Sequence, residues 1–268
     1  MSDLVTVAHS LSEECGEGRF AEGGAGEGIC MLLGIYSDKG RRDSNDDYGS
    51  MRMVNGVAIA ALADGIGGAD YGDVASRTAV VAALDALSSP PCTYLAPEFA
   101  WTSEVISRVE ESVCGVKRSM GVEGAGTTLL VARQHPTRRS LVEMMWVGDT
   151  VALKYDASRQ NFQRLGEPGR VESSGNSLDG AFGYGADLEG RVRYRSVELD
   201  PGDCLVLATD GVWDVPGVFE SAAATLAMEQ GPNSSSERLV RLAVDEFGGS
   251  DNATALVVKA VGGVRTRS

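Results

Sequence analysis

Apolar residues recur along the chain in short runs rich in β-branched side chains, and these runs predict strands. Runs of this length, bounded by polar or glycine-rich segments, are typical of β-structure. Within the second run, Ala58–Ala63 contains no polar residue, which indicates a strand buried on both faces. The predicted strands are Ile29–Ser37, Val54–Ala63, Thr127–Arg133, Leu141–Val147, Val151–Tyr155, Val192–Leu199, Cys204–Ala208 and Ala255–Val261.

Longer stretches with helical spacing predict four helices. In the second, Val109, Val113 and Val116 fall on one face. Pro216 precedes the third, where proline favours a helix start. Ser234 and Glu237 have the spacing of a capping box at the start of the fourth. The predicted helices are Gly72–Leu87, Thr102–Met120, Gly217–Glu229 and Ser235–Phe247.

The order of these elements predicts an α+β fold with antiparallel sheets. Strands cluster in pairs between isolated helices, whereas a doubly wound parallel sheet needs regular alternation of strand and helix. We expect one domain over residues 29–262 and see no internal repeat. The segment 1–28 is predicted to be flexible because Glu13–Gly28 is rich in Gly and Glu and lacks periodicity. Residues 263–268 are expected to form a C-terminal tail.

The charge balance argues against nucleic acid and membrane partners. The chain of 268 residues carries 24 Lys and Arg against 38 Asp and Glu, a formal net charge of −14. Phosphate backbones and anionic lipid surfaces are bound by clustered basic residues, which this excess of acids does not supply. No apolar run reaches the roughly 18 residues that a transmembrane helix needs.

The cysteines indicate a reducing compartment. Their number is odd, they are widely separated, and they form no C-x-x-C pair, so neither a disulfide framework nor a zinc site is expected. The N-terminus lacks the basic stretch of a signal peptide. We therefore expect a cytoplasmic protein with buried thiols. The cysteines are Cys15, Cys30, Cys92, Cys114 and Cys204.

Histidine-assisted nucleophilic catalysis is not expected. His9 lies in the predicted flexible segment, and His135 lies in a predicted hairpin turn, so neither is placed beside a nucleophile. The sequence also lacks the P-loop and G-x-S-x-G motifs. The glycines around Gly67 follow a strand as a dinucleotide-binding fingerprint does, but Asp70 replaces the last glycine of that pattern. A nucleotide-binding oxidoreductase is therefore a disfavoured alternative, which binding of a dye ligand or of NAD would revive.

Aspartates stand at the ends of the predicted strands. For any single position, Asp beside Gly is explained by its frequent use in turns. Taken together, these carboxylates would repel one another unless cations offset their charge. Oxygen ligands without His or Cys select hard ions such as Mg²⁺ or Mn²⁺, and a pair of such ions can promote phosphoryl hydrolysis. The aspartates concerned are Asp46, Asp47, Asp64, Asp149, Asp210 and Asp251.

Six short motifs follow one another in a fixed order and cover most of the chain. They are Arg42-x-x-Asn45-Asp46-Asp47, Asp64-Gly65-Ile66-Gly67-Gly68 with Gly72-x-x-Ala75-Ser76, Gly126-Thr127-Thr128, Val147-Gly148-Asp149-Thr150, Thr209-Asp210-Gly211-Val212-Trp213-Asp214 and Asp251-Asn252-Ala253-Thr254. In this order they resemble the metal-dependent protein phosphatases of the PPM family, also called type 2C Ser/Thr phosphatases. The resemblance implies a four-layer α-β-β-α sandwich, with two antiparallel sheets flanked by helix pairs.

The resemblance also implies a role for each matching residue. Two ions of Mg²⁺ or Mn²⁺ are implied, with a weaker third, and a water between the first two would attack phosphorus without a covalent intermediate. Arg42, which fits the spacing to Asn45 better than Arg41, would hold the substrate phosphate. The implied metal ligands are Asp64 as the bridging residue, the Gly65 carbonyl, Asp46, Asp210 and Asp251, with Asp149, Asp210 and Asp214 for the third ion. Asp47 and Asn252 would support these ligands from behind.

The chain departs from the family pattern at several positions. Asp46 stands where Glu is usual, so the shorter side chain alters metal affinity. Ile66 stands where many eukaryotic members have a general-acid His and bacterial members often have Met, so leaving-group protonation must come from water or another group. Thr150-Val151-Ala152 replaces a commoner Ser-Arg pattern, and the usual Asp-His-Ser after the following hairpin is missing.

Two hypotheses of function follow. The first is a Mg²⁺- or Mn²⁺-dependent phosphatase for phosphoserine and phosphothreonine in proteins, acting as a monomer on a Ser/Thr kinase or its targets. The second is a non-catalytic binding module, or pseudophosphatase, on the same fold, which the changes at Asp46 and Ile66 motivate. The retained aspartates favour the first hypothesis, because pseudophosphatases normally lose metal ligands.

Overall fold

The fold is seen in a computed structural model, which describes residues 29–66, 71–89, 97–171, 177–185, 188, 190–226 and 231–262. The predicted N-terminal segment, the C-terminal tail, Gly67 and Gly68 lie outside these residues. The strands are β1 Ile29–Asp38, β2 Asp47–Val54, β3 Val57–Asp64, β4 Leu129–Gln134, β5 Leu141–Val147, β6 Val151–Asp156, β7 Asn161–Arg164, β8 Arg193–Glu198, β9 Cys204–Ala208 and β10 Ala253–Gly262. The helices are α1 Gly72–Ser88, α2 Thr102–Met120, α3 Asp210–Trp213, α4 Val218–Leu226 and α5 Pro232–Arg241, which a π-helical turn, Leu242–Glu246, continues.

The strands form two five-stranded sheets in which the paired strands are antiparallel. The first sheet has the order β1-β10-β9-β6-β7 and the second has the order β2-β3-β4-β5-β8. Helices α1 and α2 pack on the outer face of the second sheet, and α4 and α5 pack on the outer face of the first. The prediction of an α+β sandwich with four layers is therefore confirmed.

Apolar side chains fill the space between the sheets and the space under each helix pair. Strand β3 contributes to two of these layers: Leu62 faces the first sheet, whereas Ile59 and Ala61 face α1 and α2. Seven of its eight residues are buried, Asp64 alone being less so. The prediction that Ala58–Ala63 is buried on both faces is confirmed, and its reason is the helix layer that covers the second sheet.

The predicted strand Val54–Ala63 is wrong at its start. Asn55 and Gly56 both have positive φ, 51° and 75°, and form a tight turn that joins β2 to β3. Such two-residue turns match the twist of antiparallel strands. Strand β2 was not predicted because its sequence, DYGSMRMV, has no apolar run. Strand β7 was also missed, since its four residues lie at a sheet edge and are mostly exposed.

The predicted start of the fourth helix is also wrong. Helix α5 begins at Pro232, with Gly231 as the N-cap, instead of at Ser235. The Ser234 hydroxyl lies inside the first turn and donates to the Gly231 carbonyl at 2.9 Å, so it forms no capping box. Proline fits the first helical turn because its missing N–H needs no partner there. The third predicted helix is described as far as Leu226, and residues 227–230 lie outside the described part.

Candidate active site

Both sheets end in aspartates at the same end of the sandwich. Strand β2 begins at Asp47, which pairs across the sheet with Asp64 at the end of β3. In the first sheet, Asp210 follows β9 and Asp251 precedes the neighbouring strand β10. Asp149 lies where the chain crosses from β5 in the second sheet to β6 in the first. Antiparallel order thus brings together residues that are far apart in sequence.

Asp47 lies at the inner side of this cluster and joins the two sheets. Its Oδ2 accepts hydrogen bonds from the hydroxyls of Thr209, at 2.8 Å, and Thr254, at 2.7 Å. Its Oδ1 is buried without a hydrogen-bond partner among the residues described. Burial raises the pKa of Asp47 to about 7, and the negative charges of Asp210 and Asp251 add to this effect.

Asp64 is held at the centre by the Gly126-Thr127-Thr128 motif. Its backbone N–H donates to the Thr128 hydroxyl at 2.9 Å, and its carbonyl accepts from the Thr127 hydroxyl at 2.8 Å. Burial raises the pKa of Asp64 well above its ordinary value, and the charges of Asp47 and Asp210 raise it further. The two threonines therefore fix a carboxylate that is costly to ionise in the absence of cations.

The residue after Asp64 must be glycine because the backbone passes very close to its neighbours. A Cβ at Gly65 would lie 2.2 Å from the carbonyl oxygen of Gly72 and 2.8 Å from that of Asp46. The Gly65 N–H donates to the same Asp46 carbonyl at 3.0 Å. The segments that carry Asp46 and Asp64 are therefore locked together at the start of α1.

Asn252 attaches the loop between β1 and β2 to the start of β10. Its side-chain Oδ1 accepts from the backbone N–H of Asp46 at 2.8 Å, and its Nδ2 donates to the carbonyls of Lys39 and Ser44. All the hydrogen-bonding groups of this amide are thus used to position the segment leading to Asp46. This contact agrees with the supporting position expected for Asn252.

Arg42 lies at the rim of the cluster. Its Nη2 donates to Asp251 Oδ2 at 2.7 Å, and the two side chains are 53% and 41% exposed. A half-exposed guanidinium has further donors available to solvent or to an anion. Among the residues described, Arg42 is therefore well placed to meet a ligand that enters from solvent.

Arg170 occupies the outer side of the cluster, and no sequence motif predicted its presence there. Its guanidinium donates to Asp149 and Asp214 at 2.8 Å each and to Asp210 at 3.3 Å. Burial raises the pKa of Asp210 to about 6, the charges of Asp149 and Asp251 add to this, and Arg170 opposes it. This geometry is consistent with the prediction that Asp149, Asp210 and Asp214 come together, but the Arg170 side chain lies between them.

His135 plays no part in the cluster. It follows β4 in the hairpin that leads to β5, at the opposite end of β4 from the Thr128 and Asp64 segments. Its Nδ1 accepts from the backbone N–H of Arg138 at 3.0 Å. The position expected for His135, in a turn and away from a nucleophile, is therefore what the structure has.

The donor chemistry of the cluster fits hard divalent cations. Burial, together with the charges of neighbouring aspartates, raises the pKa of Asp47, Asp64 and Asp210, and Asp47 has a buried oxygen with no partner among the described residues, so added positive charge would stabilise the ionised forms. The available donors are oxygens, which Mg²⁺ and Mn²⁺ prefer. Within the described ranges no three acidic, His or Cys side chains form a ready-made ligand group; Arg42 and Arg170 are the cations that contact the outer carboxylates.

Comparisons with known proteins agree with the fold and identify the family. The family model described as protein phosphatase 2C matches residues 37–242. The Serine/threonine phosphatase stp of Listeria innocua serovar 6a is 28% identical over 246 residues, which cover 85% of this chain and 96% of that protein.

Two solved structures share the fold. The S. agalactiae serine/threonine phosphatase superimposes with a TM-score of 0.73 at 22% identity, covering 85% of this chain and 99% of that one. The catalytic domain of the serine/threonine phosphatase PstP, solved with 2 manganese ions, gives a TM-score of 0.70 at 21% identity, with coverage of 87% and 99%.

Proposed function

The chain belongs to the protein phosphatase 2C family, and from this premise we propose that it hydrolyses phosphoserine and phosphothreonine in proteins with the help of divalent metal ions. The observation that carries the proposal is the aspartate cluster around Asp64, where burial and the charges of neighbouring aspartates raise the pKa of Asp64. Such an arrangement is costly in an isolated protein and is favourable once cations are bound.

We propose that Asp64, the Gly65 carbonyl, Asp46, Asp210 and Asp251 hold two ions of Mg²⁺ or Mn²⁺. When bound, a pair of such ions supplies Lewis-acid activation of water and neutralises phosphate charge. The manganese-bound relative of similar fold supports this assignment. Asp47, through Thr209 and Thr254, keeps the two sheets at a fixed separation, so that ligands from both sheets stay in register.

Arg42 is proposed to orient the substrate phosphate. A guanidinium can donate to two phosphate oxygens at once, which fixes the group for in-line attack. Its present partner, Asp251, is itself a proposed metal ligand, so metal binding at Asp251 would leave Arg42 more of its donors for the substrate. Ile66 cannot donate a proton to the leaving group, and water is the proposed source.

The proposed partners are phosphoproteins, among them a Ser/Thr kinase or its targets, and the chain is proposed to act as a monomer in the cytoplasm. The net charge of −14 supports a protein partner over nucleic acid. No helix in the described part of the chain is long and apolar enough to cross a membrane.

The test is hydrolysis of an aryl phosphate and of a phosphoserine peptide by the purified chain. We expect turnover with Mn²⁺ or Mg²⁺ and a loss of turnover when the ions are removed by a chelator. Calorimetry with Mn²⁺ separates this function from the binding-module alternative. A folded chain that binds no Mn²⁺ and releases no phosphate would contradict the proposal.

A further inference from the structure

A cationic side chain of the protein itself already contacts the outer carboxylates. The Arg170 side chain is only 18% exposed, and three different nitrogens of its guanidinium contact the carboxylates of Asp149, Asp210 and Asp214. One face of the guanidinium lies over the Trp213 ring, 4.8 Å from its centroid. Arg170 is therefore nearly enclosed, although it belongs to none of the six sequence motifs.

The backbone before Arg170 is fixed tightly enough to hold this position. The Gly169 N–H donates to the Gly148 carbonyl at 2.9 Å, and the Gly169 carbonyl accepts from the Asp179 N–H at 2.9 Å. A Cβ at residue 169 would lie 2.7 Å from the Gly148 oxygen. The segment therefore packs directly against the crossing that carries Asp149.

The geometry points to Arg170 as a built-in cation that takes the place of a third divalent ion at Asp149, Asp210 and Asp214. This inference rests on the proposed metal-dependent function. A metal ion entering between these carboxylates must displace a guanidinium that makes three charge-assisted hydrogen bonds, and such bonds are among the strongest in proteins. Arg170 acts as a positioning residue: it orients Asp210, which the proposed function makes a ligand of the inner ions.

The number of Mn²⁺ ions bound per chain tests the inference. Titration followed by the electron paramagnetic resonance of free Mn²⁺ is expected to give two bound ions for the wild-type chain and a third for Arg170→Gln. The affinity of the outer site should rise by at least about tenfold in this variant. Arg164→Gln is the matched control, because Arg164 stacks on the same Trp213 ring, 5.1 Å from its centroid, and is expected to bind two ions.

Equal stoichiometry in the wild-type chain and Arg170→Gln would overturn the role of Arg170 while leaving the proposed function intact. A wild-type chain that binds no Mn²⁺ would contradict both. Arg170→Lys keeps one charge but cannot reach three carboxylates at once, and it replaces Arg170→Gln if the latter does not fold.

Thermal denaturation in chelator provides a second readout. Loss of the guanidinium leaves three carboxylates without their cation, so the melting temperature of Arg170→Gln should fall by several degrees below that of Arg164→Gln, and saturating Mn²⁺ should recover most of the difference. If both variants lost the same stability and Mn²⁺ restored neither, Arg170 would have only a packing role and the inference would be wrong.

Discussion

At the scale of single residues, the unusual feature is a carboxylate placed where water cannot reach it. Asp47 is buried between the sheets, bonded only to two hydroxyls through Oδ2, and its pKa is raised to about 7. A buried carboxyl group whose pKa is raised stays protonated in the folded state to a higher pH than an exposed one. The stability of the metal-free protein must therefore depend on pH.

The first prediction concerns that pH dependence. The folded protein holds a proton on Asp47 up to about pH 7, whereas the unfolded chain releases it near the ordinary value for Asp, about 3.9. The proton held by Asp47 contributes stability that is fully present below the pKa of Asp47 in the unfolded chain. This stability is lost as pH rises through the pKa of Asp47 in the folded protein. Thermal denaturation in chelator should give a melting temperature that falls between pH 5 and pH 8.

Asp47→Asn should make this profile less steep, because an amide oxygen can still accept from both threonines and does not titrate; the part that Asp64 and Asp210 contribute should remain. Asp85→Asn is the control, since Asp85 is paired with Arg52 on the surface of α1 and should leave the profile unchanged. A melting temperature that rises with pH in the metal-free wild-type protein would contradict the assignment.

The second prediction concerns the choice between two adjacent arginines. Arg42→Ala should lower kcat/KM for a phosphoserine peptide by about 10- to 100-fold, the loss expected for a charged hydrogen bond of about 1.5–3 kcal/mol. Arg41→Ala should change it little, because the contact of Arg41 within the site is from its backbone N–H to the Ser250 carbonyl. A larger effect of Arg41→Ala would show that the phosphate-binding role belongs to Arg41.

At the scale of elements, the site depends on three backbone segments that meet without space between them. The residue after β3, the start of α1 and the loop before β2 come together at Gly65. Each segment carries or positions a proposed ligand. The packing of backbone against backbone is therefore part of the site, as the side chains are.

The third prediction tests this contact. Gly65→Ala forces a methyl group against the Gly72 carbonyl, 2.2 Å away, and should destabilise the protein by about 1–3 kcal/mol, as overpacking does. Gly115→Ala is the matched control: it lies in α2, where a Cβ would have open space apart from Arg118, 3.9 Å away. It should stabilise by about 0.5–1 kcal/mol. Chemical denaturation measures both, and equal effects would refute the close approach.

The elements that the sequence predicts are those whose burial leaves a pattern. Strand β3 is apolar from Val57 to Ala63 because both of its faces are covered, and α2 shows valines at helical spacing because one face packs on a sheet. Strands β2 and β7 leave no such pattern, since their side chains are largely polar or exposed. Periodicity reports burial, so strands whose side chains are largely polar or exposed escape it, whereas the edge strands β1 and β8 were predicted from their apolar residues.

The candidate site was predictable only as far as its motifs extend. The aspartates could be found because they stand at strand ends, and Arg42 could be found because it belongs to the first of the ordered motifs. Arg170 could not be predicted, because its role depends on the contact between the loop after β7 and Gly148. Residue spacing does not show that contact, so the role of the Arg170 charge is seen only in the three-dimensional structure.

At the scale of the whole molecule, part of the excess of acidic residues lies at one end of the two sheets. The chain carries a net charge of −14, and the four aspartates among the proposed ligands, Asp46, Asp64, Asp210 and Asp251, gather at one end of the sandwich. Each divalent ion bound there would offset two of these negative charges. Acidity that argues against nucleic acid as a partner would thus recruit, at this end, the cations that bind a phosphate.

The most direct measurement is phosphate release from a phosphoserine peptide in Mn²⁺ by the wild-type chain and Asp64→Asn, with Mn²⁺ binding measured on the same samples. We expect Asp64→Asn to stay folded, to lose Mn²⁺ affinity and to lose at least about 100-fold in kcat/KM, the scale of removing a group that acts on the reacting centre. Asp85→Asn should match the wild-type chain in both properties. An Asp64→Asn protein that releases phosphate at the wild-type rate would contradict the proposed metal-dependent hydrolysis.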